Sequence, residues 1–231
     1  ICGAMMIVGH RGGNEKPENT LSAFKHGLEL GLKGFEFDIQ LTLDGQLVVF
    51  HDETLYRTTN AQGKLKEKTL KELKELDAGN GETIPTFSEV LDLLDKKTCF
   101  QIEIKADHCE EKLVQEIQSR NLYDVATVIS FNHHYLKIMK SLDTKIEVTP
   151  IIYAKPLSPL KLIDELNATG ISMNEKFIDE SIVKQVQGQN KKLTAWTVNQ
   201  QHRVFQLIKW NVDYICTDFP ANYKDLLDAA R

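Results

Sequence analysis

The stretch that decides the fold runs from Phe35 to Asp52, FEFDIQLTLDGQLVVFHD. Its first part, Phe35–Gln40, alternates Phe35, Phe37 and Ile39 with Glu36, Asp38 and Gln40, the period of two that a strand imposes. A second apolar run follows at Gln46–Phe50. The segment between them, Thr42-Leu43-Asp44-Gly45, is too short for a crossover between parallel strands. Asp-Gly between two apolar runs is instead a strong hairpin signal. With Asp44 and Gly45 as the loop residues and no bulge, Leu43 faces Gln46 and Asp38 faces His51. This register predicts that the hairpin carries His51 back to the carboxyl end of its parent strand, beside Asp38.

Outward from the hairpin, short apolar runs alternate with amphipathic helical stretches, the pattern of a parallel sheet. The strands are expected at Ile7–His10, Phe35–Gln40, Phe100–Lys105, Thr127–Phe131, Val148–Tyr153, Gly170–Met173, Leu193–Val198 and Tyr214–Thr217. Helices are expected at 20–32, 110–120, 133–141, 159–166, 179–189 and 201–209, with Thr86–Asp95 as the second barrel helix. Eight parallel strands predict a (β/α)₈ TIM barrel, with the β-hairpin after strand two as its one departure. Residues 52–85 interrupt the repeat longest and read as a small insertion at the barrel mouth. The chain is expected to be a single domain over 1–231.

Length and charge narrow the function. The 231 residues suffice for one barrel, and 42% hydrophobic residues can fill its core. A net charge of −5 argues against nucleic acid, whose phosphates need clustered Lys and Arg. No window has the apolar length of a membrane span. The apolar start, Ile1 to Val8, runs directly into the first strand, so Ile1–Ala4 reads as a remnant of processing rather than a signal core. Cys2, Cys99, Cys109 and Cys216 show neither zinc spacing nor a disulfide framework, which predicts free thiols and a cytoplasmic protein.

Ionisable residues at the strand ends carry the chemistry. Strands of a parallel barrel should be nearly all apolar, and active sites lie at their carboxyl ends. Here the first strand ends in His10-Arg11-Gly12, the second holds Glu36 and Asp38, the hairpin ends in His51-Asp52, and the third strand ends Glu103-Ile104-Lys105. Period two aims Glu36, Asp38, Glu103 and Lys105 into the barrel mouth. One such pair alone would read as a structural ion pair. Three inward carboxylates are costly unless a hard cation, Mg²⁺ or Ca²⁺, sits among them. His10 and His51 beside that cluster are candidates for general acid–base work near neutral pH. Arg11 offers a fork of donors for phosphate, or for a salt bridge to Glu18 or Glu15. Asn19 or Thr20 caps the first helix.

These residues resemble the glycerophosphodiester phosphodiesterase family, compact bacterial type. The resemblance rests on His10-Arg11-Gly12 with Pro17-Glu18-Asn19-Thr20, on Glu36-Phe37-Asp38-Ile39 running through to His51-Asp52, and on Glu103-Ile104-Lys105. Trp196-Thr197-Val198-Asn199 and Thr217-Asp218-Phe219-Pro220 extend it towards the end, so that it covers 7–220. It implies His10 and His51 as the acid–base pair and Glu36, Asp38 and Glu103 as ligands of one Mg²⁺ or Ca²⁺. Arg11 and Lys105 would contact the phosphate of a small glycerophosphodiester, releasing glycerol 3-phosphate and an alcohol. Trp196 and Phe131 could wall the site or simply pack; Tyr153 is not expected to take part. Leu43 departs from the family, which often has a charged residue there. A lysophospholipase D or sphingomyelinase-D-like enzyme would share this chemistry but need an acyl track, and residues 52–85 offer no amphipathic or aromatic-rich segment for one. A non-catalytic scaffold would have been favoured by loss of any of the five central residues, and all five are present.

Overall fold

The computed structural model describes residues 5–95 and 98–229. Eight parallel strands close on themselves: β1 (Met6–His10), β2 (Gly34–Leu41), β4 (Cys99–Ile104), β5 (Ala126–Ser130), β6 (Glu147–Ile152), β7 (Gly170–Asn174), β8 (Lys192–Trp196) and β9 (Tyr214–Thr217). Each pairs with the next, β9 returns to β1, and β1 pairs with β2. The antiparallel β3 (Leu47–Val49) lies against the upper half of β2. Around the barrel run α1 (Leu21–Leu30), α2 (Leu70–Lys74), α3 (Phe87–Leu94), α4 (Glu110–Arg120), α5 (His133–Leu142), α6 (Pro159–Glu165), α7 (Glu180–Gln187), α8 (Gln201–Lys209) and α9 (Lys224–Ala229). The expected (β/α)₈ barrel and its extra hairpin are both found.

Local chemistry starts the helices where the sequence indicated. Thr20, rather than Asn19, caps α1, accepting from the amide of Ala23. Thr86 with Glu89 forms a reciprocal capping box at α3, satisfying two amides that would otherwise lack partners. Period two in β2 then sorts its side chains. Phe35, Phe37 and Ile39 are fully buried in the core between barrel and helices, where Phe37 meets Phe24, Phe87 and Phe100 with ring centroids 5.6, 6.0 and 6.2 Å away. Glu36, Asp38 and Gln40 are buried on the opposite, inner side.

The hairpin register differs from expectation by one residue. Ile39 pairs with Val49, Gln40 with Val48 and Leu41 with Leu47, and the amide of Phe50 donates to the Asp38 carbonyl. Asp38 therefore stands opposite Phe50, not His51. The cause is the loop: the amide of Thr42 donates to Gln46, leaving Leu43, Asp44 and Gly45 as a three-residue loop with Gly45 left-handed at φ 72°. A turn closed by a left-handed residue is the alternative that Asp-Gly serves equally well. A slip of one would normally turn every side chain to the other face. His51 escapes this because β3 ends at Val49 and the chain leaves the ladder before reaching it. Gln40 fixes the departing chain instead, its amide Nε2 donating to the carbonyls of Phe50, His51 and Asp52 at 3.0, 3.1 and 2.7 Å.

Beyond the hairpin, Leu55, Leu65, Leu73, Ala78 and Ile84 pack with Val48 and Phe50 into a small second core. The insertion is thus anchored through the hairpin itself. The cysteine expectation needs correcting. Cys109 and Cys216 are free and buried, but Cys99 is disulfide-bonded, so the expectation of free thiols fails at that position. Cys2 and the rest of Ile1–Ala4 lie outside the described residues. Among the described residues, no helix is long and apolar enough to cross a membrane.

Replacing Gln40 with Ala should strand three carbonyls in a buried setting. The expected result is a loss of about 2 kcal/mol in urea unfolding together with reduced turnover. Wild-type turnover in this variant would mean that His51 is held by something other than Gln40.

Candidate active site

Two parallel neighbours build the acidic floor. β2 and β4 pair with Glu36 beside Gln101 and Asp38 beside Glu103, so their inner side chains form one layer. One carboxylate oxygen from each of Glu36, Asp38 and Glu103 lies within 4.8 Å of the others, and all three residues are buried. Burial and mutual repulsion push the Glu36 carboxyl well up and that of Glu103 to about 7. Burial would raise Asp38 too, but Arg11, His51, Lys105 and Asn19 outweigh it and hold the carboxyl down. Oδ2 of Asp38 accepts from Asn19 at 2.9 Å, whereas Oδ1 is buried with no hydrogen bond and only Lys105 Nζ at 4.0 Å. An all-oxygen cluster with one unsatisfied carboxylate oxygen suits a hard divalent cation.

The histidines approach this floor from opposite sides, each braced by a carboxylate. Nδ1 of His10 lies 2.6 Å from Asp218 Oδ1, and Nε2 lies 3.8 Å from Glu36. Asp218 is fixed in turn by Asn199, whose amide donates to Oδ2 at 2.7 Å. Nδ1 of His51 lies 2.6 Å from Asp52 Oδ1. A carboxylate facing Nδ1 keeps the proton there, which leaves Nε2 of each ring as the nitrogen for proton exchange. Burial, with help from Arg11 and Lys105, lowers the pKa of His51 despite Asp38 and Asp52, so its neutral form prevails at neutral pH.

Arg11 makes the salt bridge to Glu18 that the sequence offered, and still borders the cavity. Its NH1 donates to Glu18 at 2.9 Å and its Nε lies 3.5 Å from Asp38, so it joins Glu18 to the acidic cluster. The backbone at Arg11, Gly12 and Gly13 is left-handed, φ 51°, 91° and 104°, and turns the Arg11 amide onto Glu36 at 3.1 Å. Lys105 donates to Glu103 at 2.9 Å and lies 5.8 Å over the Phe131 ring.

A cavity of about 150 Å³ opens above this floor, lined by His10, Arg11, Glu36, His51, Glu103 and Lys105 on its polar side. Trp196, Phe131, Ile129 and Ile151 form the apolar side. Phe131 meets Trp196 edge-on at 5.3 Å, and the Trp196 Nε1–H is buried without an acceptor. Tyr153 backs Trp196 at 6.1 Å but does not line the cavity. Of the nine residues expected to bind cation or substrate or to exchange protons, all but Asp38 border one cavity, and Asp38 lies in the cluster beneath it.

Sequence reasoning missed the second layer. Arg57, in the insertion, donates to both oxygens of Asp52 at 2.7 and 2.8 Å and to both oxygens of Glu18 at 2.8 and 2.6 Å. Those bonds drive the Asp52 carboxyl far below its ordinary value, so it stays an acceptor for His51. Asp218, Asn199 and Gln40 were missed as well. The sequence did carry Gln40 at an inward period-two position and Asn199 and Asp218 in the last two strand motifs, but neither signal named their partners.

The chain is similar to proteins of known class in sequence and in fold. The model of the glycerophosphoryl diester phosphodiesterase family matches residues 10–222. A glycerophosphodiester phosphodiesterase of Caldanaerobacter subterraneus is 36% identical over 96% of this chain and 97% of its own. One of Bacillus altitudinis is 34% identical over 93% and 94%. A phosphodiesterase of Oleispira antarctica, solved in complex with the product sn-glycerol-3-phosphate, superposes with a TM-score of 0.89 at 27% identity, covering 97% of both chains. The chain belongs to the glycerophosphoryl diester phosphodiesterase family.

Proposed function

We propose that the protein hydrolyses small glycerophosphodiesters to glycerol 3-phosphate and an alcohol, using one Mg²⁺ or Ca²⁺ held by Glu36, Asp38 and Glu103. The observation that carries this reading is the convergence of three buried carboxylate oxygens between two histidines, each oriented by its own aspartate. When bound, the cation supplies Lewis-acid stabilisation of charge on the phosphate oxygens. The remaining work falls to the chain. Arg11 and Lys105 offset the charge of the diester, and Trp196 with Phe131 gives its glycerol carbons an apolar wall. One histidine takes the proton of the attacking glycerol hydroxyl through Nε2 as the new P–O bond forms. The other gives a proton to the departing alcohol oxygen as the old P–O bond breaks. Water then opens the cyclic phosphate, with the proton transfers reversed.

Either histidine replaced by Ala should cut turnover by about 10²–10⁴ while leaving cation affinity intact, measured by product release and by calorimetry. A variant that turns over at the wild-type rate would remove that histidine from the mechanism.

Cation binding has a readout besides activity. In chelator, Glu103 titrates at about 7 in the folded protein against 4.5 unfolded, so ionising it opposes folding as the pH rises through that window. The stability of the stripped Glu103→Gln protein should therefore gain on that of the stripped wild type as pH rises from 4.5 to about 7, read by urea unfolding. Mg²⁺ or Ca²⁺ should raise the melting temperature of the wild type alone. Full activity in excess chelator would sink the three-carboxylate site.

Arg57→Ala frees Asp52 and Glu18 together, and should lower kcat by roughly 10- to 100-fold with Arg57→Lys recovering little, because Lys cannot bridge two carboxylates bidentately. An unchanged kcat would make the bridge merely structural.

A further inference from the structure

The site cavity, at about 150 Å³, is smaller than the roughly 300–1,000 Å³ of ordinary ligand pockets and suits only one half of a diester. A second cavity, of about 1050 Å³, adjoins it, and His51 and Lys105 border both. It is an open groove between the hairpin and the β4–α4 loop, bordered by both apolar and charged side chains. A diester whose phosphorus lies at the boundary would place one substituent in each. The glycerol half is the same in every substrate of the class, so the small, aromatic-walled cavity fits it. The alcohol half varies, and the open groove can take it.

Charge on the groove wall distinguishes among alcohols. Three carboxylates border it, Asp52, Glu53 and Asp107. Asp52 is neutralised by Arg57 and Glu53 by Lys64 at 2.7 Å, with Lys66 also in the field of Glu53. Asp107 differs. Its hydrogen-bond partner is the Tyr135 hydroxyl at 2.5 Å, an uncharged donor. Burial and Asp107 itself push that phenol up to about 12, so Tyr135 stays neutral and orients the carboxylate without cancelling its charge. Tyr135 also borders the groove, and an aromatic ring beside an uncompensated carboxylate is the pairing that attracts an organic ammonium.

Resting on the phosphodiesterase reading above, we propose that this groove is the leaving-alcohol subsite and that Asp107 and Tyr135 are specificity-determining residues favouring a cationic amino-alcohol head group, such as choline or ethanolamine, over a neutral polyol. The test compares kcat/KM for glycerophosphocholine and for glycerophosphoglycerol, with Mg²⁺ and with Ca²⁺. Asp107→Asn keeps the shape and the bond to Tyr135 but removes the charge. It should lower the choline-to-glycerol ratio about fivefold, chiefly through KM. Tyr135→Leu should lower the ratio as well. In the wild type, added salt should erode the same ratio, since the pair is exposed and screened. An unchanged ratio in Asp107→Asn, with both diesters hydrolysed, overturns the groove assignment and leaves the phosphodiesterase reading standing. Cleavage of lysophosphatidylcholine in preference to glycerophosphocholine also overturns it, because the acyl chain is carried on the glycerol half and the cavity of about 150 Å³ cannot hold both, so the two halves would have to be placed otherwise. Hydrolysis of neither diester with either cation overturns the phosphodiesterase reading and the groove with it.

Discussion

One edge of β2 is shared by two strands that run in opposite directions. β1 pairs with its lower part, Gly34 to Glu36, and stops at His10. β3 pairs with its upper part, Leu41 down to Ile39, and stops at Val49. Between them lies Phe37, and the Asp38 carbonyl accepts from the amide of Phe50 just past the end of β3. His10 therefore ends one strand just below this gap, while His51 follows the end of another just above it. An ordinary parallel barrel would place one strand along the whole edge and bring one chain end to this point. The hairpin makes it two, and that constraint sets both imidazoles around the acidic layer on β2 and β4.

The acidic layer is intelligible only against its surroundings. Three carboxylates that are buried this close would favour protonation, and Glu36 and Glu103 do shift that way. Asp38 shifts oppositely because Arg11, Lys105 and Asn19 converge on it. The layer is thus neither a closed ion-pair network nor an open acidic patch. Lys105 is bonded to Glu103, Arg11 is tied to Glu18, and Asp38 keeps one oxygen unsatisfied. A structural network of Glu36, Asp38, Glu103 and Lys105 alone would have left no such oxygen.

What could be read from the sequence was what local periodicity encodes. Alternation in Phe35–Gln40 and in Phe100–Lys105 was enough to aim four charged side chains inward and to count the strands. The hairpin was legible, but not its register, since Asp44-Gly45 suits a two-residue loop and a three-residue loop alike and only the left-handed Gly45 decides. The long-range partners were not legible, although Asp52 stood next to His51. Asp218 reaches His10 across 208 residues, because closure of the barrel sets β9 beside β1. Arg57 reaches Glu18 across 39, because the insertion folds back over the first loop. Such contacts follow from tertiary closure, and no short-range pattern announces them.

The insertion therefore has more than a covering role. Its core includes Val48 and Phe50 of the hairpin, and its Arg57 grips Asp52 and Glu18. Gln40, on the strand itself, holds the intervening backbone from below. His51 is consequently fixed from three directions, by Gln40 at its carbonyl, by Asp52 at its ring and, through Asp52, by Arg57. The loop carrying His10 is tied to the same arginine through Glu18 and Arg11. Motion of the insertion cannot reach one histidine without loading the salt bridges that lead to the other. Residues 52–85, which interrupt the barrel repeat, thereby couple the two loops that carry His10 and His51.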